Sequence, residues 1–314
     1  MGAMKKLTNV LVFASLFLTA CSSTDEKQVF EQSFGESTIS KIRVTTSDYV
    51  FDDAGGTRAL TYDGSATSFA WALNDTIGIF PDEGDQMSFS MAAGVGTKDA
   101  TVDGGGWQLK TTATYTAYSP FNRWNFFRDR QHILLDYTGQ VEDGIADTRH
   151  LGAYDFQAAN ATSAVNGYLN FNMRRLNCIL ILKLTIPQAG TYTAIKLTAD
   201  EDEFTTQANL SLDDEYSLTS IKKTKTLTLG LKNVTTTQDN QVAEFFLMLY
   251  PTNLIGKTYS VSLIGANGYV YKGTKTPTKS YNSGSATRTA ITLTLDTSST
   301  IGLGGEFSSD ESDM

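Results

Sequence analysis

Cys21 closes the run Leu18-Thr19-Ala20-Cys21, where small residues leave the preceding peptide bond open to a peptidase and present a thiol that can carry a diacylglycerol. Ahead of it, Met4-Lys5-Lys6 opens a positively charged segment and Leu11 to Leu18 is apolar, the layout of a secretory signal peptide. That run is about half the ~20 residues a membrane-spanning helix needs, so a transmembrane reading fails. Two or three acyl chains on one cysteine hold more firmly than a single chain, so Cys21 is expected to anchor the protein to a membrane without spanning it. The second residue of interest is Arg58, in the loop Asp52-Asp53-Ala54-Gly55-Gly56-Thr57-Arg58-Ala59-Leu60. Small, polar and glycine-rich, this loop is an exposed target for an Arg-specific protease. An ordinary surface loop that happens to carry an arginine fits the segment as well.

Other side chains capable of chemistry do not assemble into a site. His132 and His150 lack metal-ligand spacing with a second His or Cys and read as loop or surface residues. Cys178 lies in the most apolar stretch, where a buried thiol is inert. The sequence has no nucleophile elbow, phosphate-cradling loop or His-Glu-x-x-His pair. Asp200-Glu201-Asp202-Glu203 lacks the alternating ligands and central glycine of a calcium loop and reads as a solvated strand end. Carboxylate pairs for glycoside hydrolysis are far apart in sequence, and nothing specific supports them. Trp107, Trp124, Phe126 and Phe127 could stack on sugars, although aromatics in a β-sandwich more often belong to the core. No enzyme activity, metal or cofactor is therefore expected. A net charge of -9 without a basic stripe also excludes nucleic acid as a partner.

The elements around these residues have a period of two. Ile42 and Val44 alternate with Arg43 and Thr45; Leu227, Leu229 and Leu231 with Thr228 and Gly230; Ile291, Leu293 and Leu295 with Thr292 and Thr294. Such alternation gives strands with one buried and one wet face, as in β-sandwiches. Cys178 to Ile186 and Phe245 to Tyr250 are apolar on both faces and are expected to be central strands. Asn267-Gly268 predicts a type I′ hairpin. Asn122 to Arg130 could make a single helical turn. The roughly 290 residues after the signal segment suit two domains of about 130 each, all-β. The expected organisation is a signal peptide (1–20), a flexible tether (21–40), two tandem β-sandwiches (41–165 and 166–296) and a mobile acidic tail (297–314). The division is set where Gln157 to Gly167 loses its periodicity. With Cys21 committed to lipid, Cys178 has no disulfide partner, and stability must come from the cores.

The order of several motifs resembles the fimbrillin family. They are the lipobox, Thr57-Arg58-Ala59-Leu60 after a first strand, Phe69-x-Trp71-x-x-x-Asp75-x-Ile77-Gly78-Ile79-Phe80, and Tyr115-x-Ala117-Tyr118-x-Pro120. Phe171-x-Met173-x-x-Leu176 and Phe246-x-Met248-x-Tyr250-Pro251 complete the set, which runs from Cys21 to about Leu295. The resemblance implies transthyretin-like β-sandwiches and a lipidated precursor sent to the outer membrane surface. The acidic pair Asp25-Glu26 resembles a surface-export signal.

The resemblance further implies a cut between Arg58 and Ala59 that releases the lipid with the strand Ile42 to Phe51, so Ile42, Val44, Tyr49, Val50 and Phe51 form the displaced strand. About four inward apolar side chains would leave, worth at most about 6 to 12 kcal/mol. A strand from a neighbouring subunit would refill the groove. The implied partners are other pilus subunits, an Arg-specific protease, the outer membrane through the lipid, and a host or bacterial surface ligand. Residues after Asp296 depart from the alternating donor strand expected of a stalk subunit, since Gly302, Gly304 and Gly305 weaken it. A tip, anchor or accessory subunit fits that tail better. The alternative is a non-polymerising surface lipoprotein that binds glycans or host ligands.

Overall fold

The period-two pattern becomes structure strand by strand, as in Tyr168–Arg175, whose side chains alternate exposed and buried along its whole length. The computed structural model describes residues 38–51, 69–125, 130–213 and 215–298. In chain order the first strands are β1 (Lys41–Thr46), β2 (Val50–Phe51), β3 (Thr76–Pro81), β4 (Met87–Ala93), β5 (Asp99–Asp103) and β6 (Thr114–Ser119). Next come β7 (Ile133–Asp136), β8 (Val141–Asp143), β9 (Gln157–Ser163) and β10 (Tyr168–Arg175). They are followed by β11 (Cys178–Ile186), β12 (Gly190–Ala199), β13 (Phe204–Leu212), β14 (Tyr216–Thr224) and β15 (Thr226–Thr236). The last are β16 (Gln241–Leu249), β17 (Tyr259–Gly265), β18 (Val270–Lys275), β19 (Ser285–Thr292) and β20 (Thr294–Leu295). Helix is confined, among the described residues, to the 3-10 turns Arg123–Asn125 and Arg149–Tyr154, and none is long and apolar enough to cross a membrane.

Seven strands close a barrel in the order β1-β10-β9-β6-β3-β4-β5. Its interior is filled by inward residues such as Ile42, Val44, Ile77, Ile79, Phe89 and Phe171. The chain then builds a sandwich. The sheet β16-β11-β19-β2 faces the sheet β20-β18-β17-β12-β15-β8 across a core that includes Leu180, Leu182, Phe245, Leu197 and Leu263. A three-stranded sheet, β14-β13-β7, covers a further cluster around Phe80, Tyr118 and Tyr137.

β11 is central and buried on both faces, as its composition implies. β16 is apolar on both faces too, yet it ends its sheet, and its outer edge is covered in another way described below. The hairpin at Asn267-Gly268 forms, but Gly268 has a φ of 85° and Asn267 does not share a positive φ. The Gly268 N–H bonds the Gly265 carbonyl at 3.0 Å, so the turn is not the type I′ expected. That geometry occurs instead at Asn166 and Gly167, with φ of 52° and 77°, where Val165 and Tyr168 exchange hydrogen bonds of 2.8 and 3.0 Å. Residues 157–167, which lack periodicity in sequence, are thus strand β9 and the turn into β10. This hairpin carries the barrel across the expected division at 165/166.

One motif glycine has a packing reason. A Cβ built on Gly78 would lie 2.2 Å from the Tyr118 ring, which covers it across the β3–β6 pair. Gly78→Ala should therefore cost about 1 to 3 kcal/mol, read as a lower urea midpoint with an unchanged slope.

Candidate functional site

Cys21, Arg58 and Ala59 lie outside the described residues, but the strand segment between them does not. β1 closes the barrel, pairing parallel with β10 on one side and antiparallel with β5 on the other. Val44 stands opposite Phe171 and Ala100 in these two registers and is fully buried; Ile42 is buried beside it. Lys41 and Arg43 point outward, and Arg43 Nε donates to Asp99 Oδ1 at 2.5 Å. Ordered pairing begins earlier than the expected end of the tether at residue 40. Thr38 bridges Lys110, and the Ile39 and Ser40 N–H groups bond the carbonyls of Leu109 and Gly167 at 2.8 and 2.9 Å.

After β1 the chain turns out of the barrel and crosses to the sandwich, and a buried polar cluster holds the crossing. Thr46 Oγ1 donates to Gln157 Oε1 at 2.6 Å, and Asp48 pairs with Lys98. Arg175 Nε donates to the Ser47 carbonyl at 2.9 Å while another guanidinium nitrogen pairs with Asp155 Oδ2. The Tyr49 hydroxyl donates to Asp155 Oδ1 at 2.7 Å. The guanidinium packs against two rings that also touch each other, 4.4 Å from the Tyr49 centroid and 4.8 Å from that of Phe69. Burial, reinforced by the negative Asp155, holds the Tyr49 phenol well above its ordinary pKa, so it remains a donor. Although burial alone would lower the Arg175 pKa, Asp155 and Tyr49 raise it.

β2 then pairs parallel with the start of β19, and the Val50 N–H bonds the Gly284 carbonyl at 2.8 Å. Of the displaced-strand residues, Ile42, Val44 and Tyr49 are buried, whereas Val50 is 54% exposed. The Phe51 side chain lies outside the described residues, so three of the expected inward positions are filled by observation. One continuous segment thus supplies a strand to the barrel and another to the sandwich.

No family model and no curated protein sequence matches this chain. Its fold does have solved counterparts. A candidate cell adhesion protein from Bacteroides ovatus superimposes with a TM-score of 0.52 at 15% identity, covering 83% of this chain and 96% of that one. Another, from Bacteroides uniformis, gives 0.51 at 13% identity, with 82% and 97% covered. The chain has the fold of these two candidate cell adhesion proteins. A fimbrial protein from Bacteroides ovatus is also similar, at a TM-score of 0.36 and 12% identity over 80% of this chain and 48% of its own. The fold agrees with the all-β architecture read from the sequence.

Residues considered for chemistry have structural duties in this fold. Cys178 is buried in β11, with its Sγ 3.6 Å from the Leu249 carbonyl. Glu203, in the acidic run, pairs with Lys257 at 2.5 Å. Among the described residues no group of three His, Cys, Asp or Glu could hold a metal. His132 is exposed, and His150 is half-buried on the 3-10 turn Arg149–Tyr154. It joins Gln140 and Glu142 in covering the outer edge of β16.

Gln140 Oε1 and Glu142 Oε2 each accept a backbone N–H, from Met248 and Phe246 respectively, at 2.8 Å. Gln140 Nε2 returns a bond to the Met248 carbonyl at 2.8 Å, and a His150 ring nitrogen lies 3.0 Å from the Phe246 carbonyl. Side chains stand here where a neighbouring strand would, which explains why a strand apolar on both faces can end its sheet.

Burial pushes the Glu142 carboxyl up to about 9, against the hydrogen bonds from Phe246 and Asp147. A carboxyl raised in the folded state stabilises fully below its unfolded pKa and loses that contribution as pH rises through the folded value. Burial lowers the His150 pKa, so its effect is felt as pH falls and does not oppose this one above neutrality. Stability should drop by about 2 kcal/mol between pH 7 and pH 9. Urea midpoints would record it, and Glu142→Gln should flatten the slope.

Arg175 and Asp155, the centre of the crossing, were not among the residues picked out by sequence. Their signal is faint, because a buried ion pair separated by a whole hairpin has no spacing rule.

Proposed function

We propose that this chain is a structural subunit of a surface fimbria, made as a precursor lipidated on Cys21 and matured by a cut between Arg58 and Ala59. The observation that carries the reading is the seat of residues 38–51. They contribute a strand paired on both edges in a closed barrel and a second strand in the sandwich. On this reading they leave as one piece when the following loop is cut. The vacated seat exposes two strand edges above an apolar floor, which a strand from a neighbouring subunit can occupy by β-augmentation. The partners are then other pilus subunits and an Arg-specific protease, with the outer membrane holding the precursor through its lipid. The fold shared with candidate cell adhesion proteins supports a place at the cell surface.

The test is the N-terminal residue of the protein in filaments sheared from cells. Ala59 supports maturation and assembly. Arg58→Ala should make precursor accumulate, and unchanged incorporation of that variant would defeat the proposal. A second reading, a non-polymerising surface lipoprotein that binds glycans, draws on Trp124, which is 75% exposed beside a groove of 510 Å³ lined also by Phe121, Asn122 and Asp136. Intact lipidated protein confined to membrane fractions would favour it.

A further inference from the structure

We infer that the strand which replaces residues 38–51 is selected by a three-point key: two aliphatic side chains two residues apart, at the places of Ile42 and Val44, and a phenol five residues beyond, at the place of Tyr49. This rests on the reading that the segment leaves and is replaced. It adds what the newcomer must carry.

The barrel floor alone cannot discriminate. Apolar burial is non-directional, so the seats of Ile42 and Val44 accept most aliphatic pairs with strand spacing. Discrimination sits at the third point. Arg175 is 4% exposed, and with the segment in place its guanidinium has one ring face covered by Tyr49, its Nε bonded to the Ser47 carbonyl and its charge paired with Asp155. Asp155 in turn accepts the Tyr49 hydroxyl. Departure of the segment strips a face and a hydrogen bond from the arginine and a donor from the carboxylate.

Any backbone crossing at this point can return the carbonyl. Only an aromatic ring returns the cation–π contact, and among such rings a phenol places its donor where the Tyr49 hydroxyl meets Asp155. An aliphatic residue there leaves Asp155 Oδ1 without that donor, a deficit that is costly for a charged, buried group. The spacing is fixed because the same turn that presents the Ser47 carbonyl delivers Tyr49.

Residues 297–314 of a second copy do not carry this key. With Ile301 and Leu303 laid on the two aliphatic seats, Ser308 falls at the phenol position, Phe307 comes one residue short, and the segment contains no tyrosine. The geometry therefore favours a strand from a different chain over self-assembly through that segment.

The test uses the full chain nicked at Arg58 by an Arg-specific protease, freed of its N-terminal fragment in mild denaturant and refolded. Fluorescent peptides are then titrated and followed by anisotropy. The peptide of residues 38–51 should bind, its Tyr49→Phe form about tenfold more weakly, and its Tyr49→Ala form about a hundredfold more weakly. A peptide of residues 297–314 should do no better than the Tyr49→Ala form. Tyr49→Ala within about threefold of the native peptide, or tight binding of the 297–314 peptide, overturns the key while leaving strand replacement standing. Failure of the native peptide to bind at all overturns strand replacement itself, and the key with it.

Discussion

A chain started at Ala59 should melt roughly 10 to 35 °C below one that keeps residues 38–51, and a peptide of those residues added in trans should restore most of the loss. Ile42, Val44 and Tyr49 are each no more than 6% exposed, and burying each contributes about 1.5 to 3 kcal/mol. Their sum, about 5 to 9 kcal/mol as an upper estimate, is comparable with the whole stability of an ordinary domain. The remaining strands also suffer, because β5 and β10 would lose their common neighbour and present two unpaired edges to solvent. The shortened chain should therefore self-associate at micromolar concentration unless peptide is present. Calorimetry with and without peptide measures the effect. A shift of only two or three degrees would mean that the barrel closes again without β1, and the groove that the proposed assembly needs would not exist.

How far the sequence foretold this arrangement varies with the kind of interaction. Alternation at Ile42 and Val44, or along Cys178 to Ile186, is read directly because side-chain direction in a strand has a period of two. The route of the chain is not so readable. Ile42 to Phe51 looks like one strand, yet Ser47 and Asp48 break it, so that β1 and β2 belong to different sheets. Nothing in the local pattern distinguishes a strand from two strands joined at a corner. The segment Gln157 to Gly167 misleads for the opposite reason. Small residues erase its alternation, although Ala159 is buried inside the closed barrel, Ala158 is buried in the cluster around Phe80 and Tyr118, and Asn166-Gly167 makes a hairpin turn. The role of β16 could not be read either, since its edge is covered by the side chains of Gln140, Glu142 and His150 from a remote part of the chain. The two residues that grip the candidate site, Asp155 and Arg175, are single charges in sequence and become a pair only when β9 and β10 fold against each other.

That pair supplies the second large effect. Asp155→Ala should lower stability by about 3 to 5 kcal/mol, because it leaves the Arg175 guanidinium, with a side chain 1% exposed, buried without its counter-charge. Arg175→Met should cost a similar amount by stranding Asp155, even though its chain volume is largely kept. The double variant Asp155→Ala with Arg175→Met removes both charges and should be less damaging than the sum, and close to either single change. Urea denaturation of the four proteins closes the cycle; additive losses would show that the two groups act independently and that their contact is incidental. A strongly coupled pair has a further consequence for the segment it holds. Tyr49 and Ser47 touch the pair directly, so each single variant should release the nicked N-terminal fragment faster than the parent does. The double variant should hold that fragment without the ion pair's contacts to Ser47 and Tyr49, and should no longer distinguish a tyrosine from a phenylalanine at position 49.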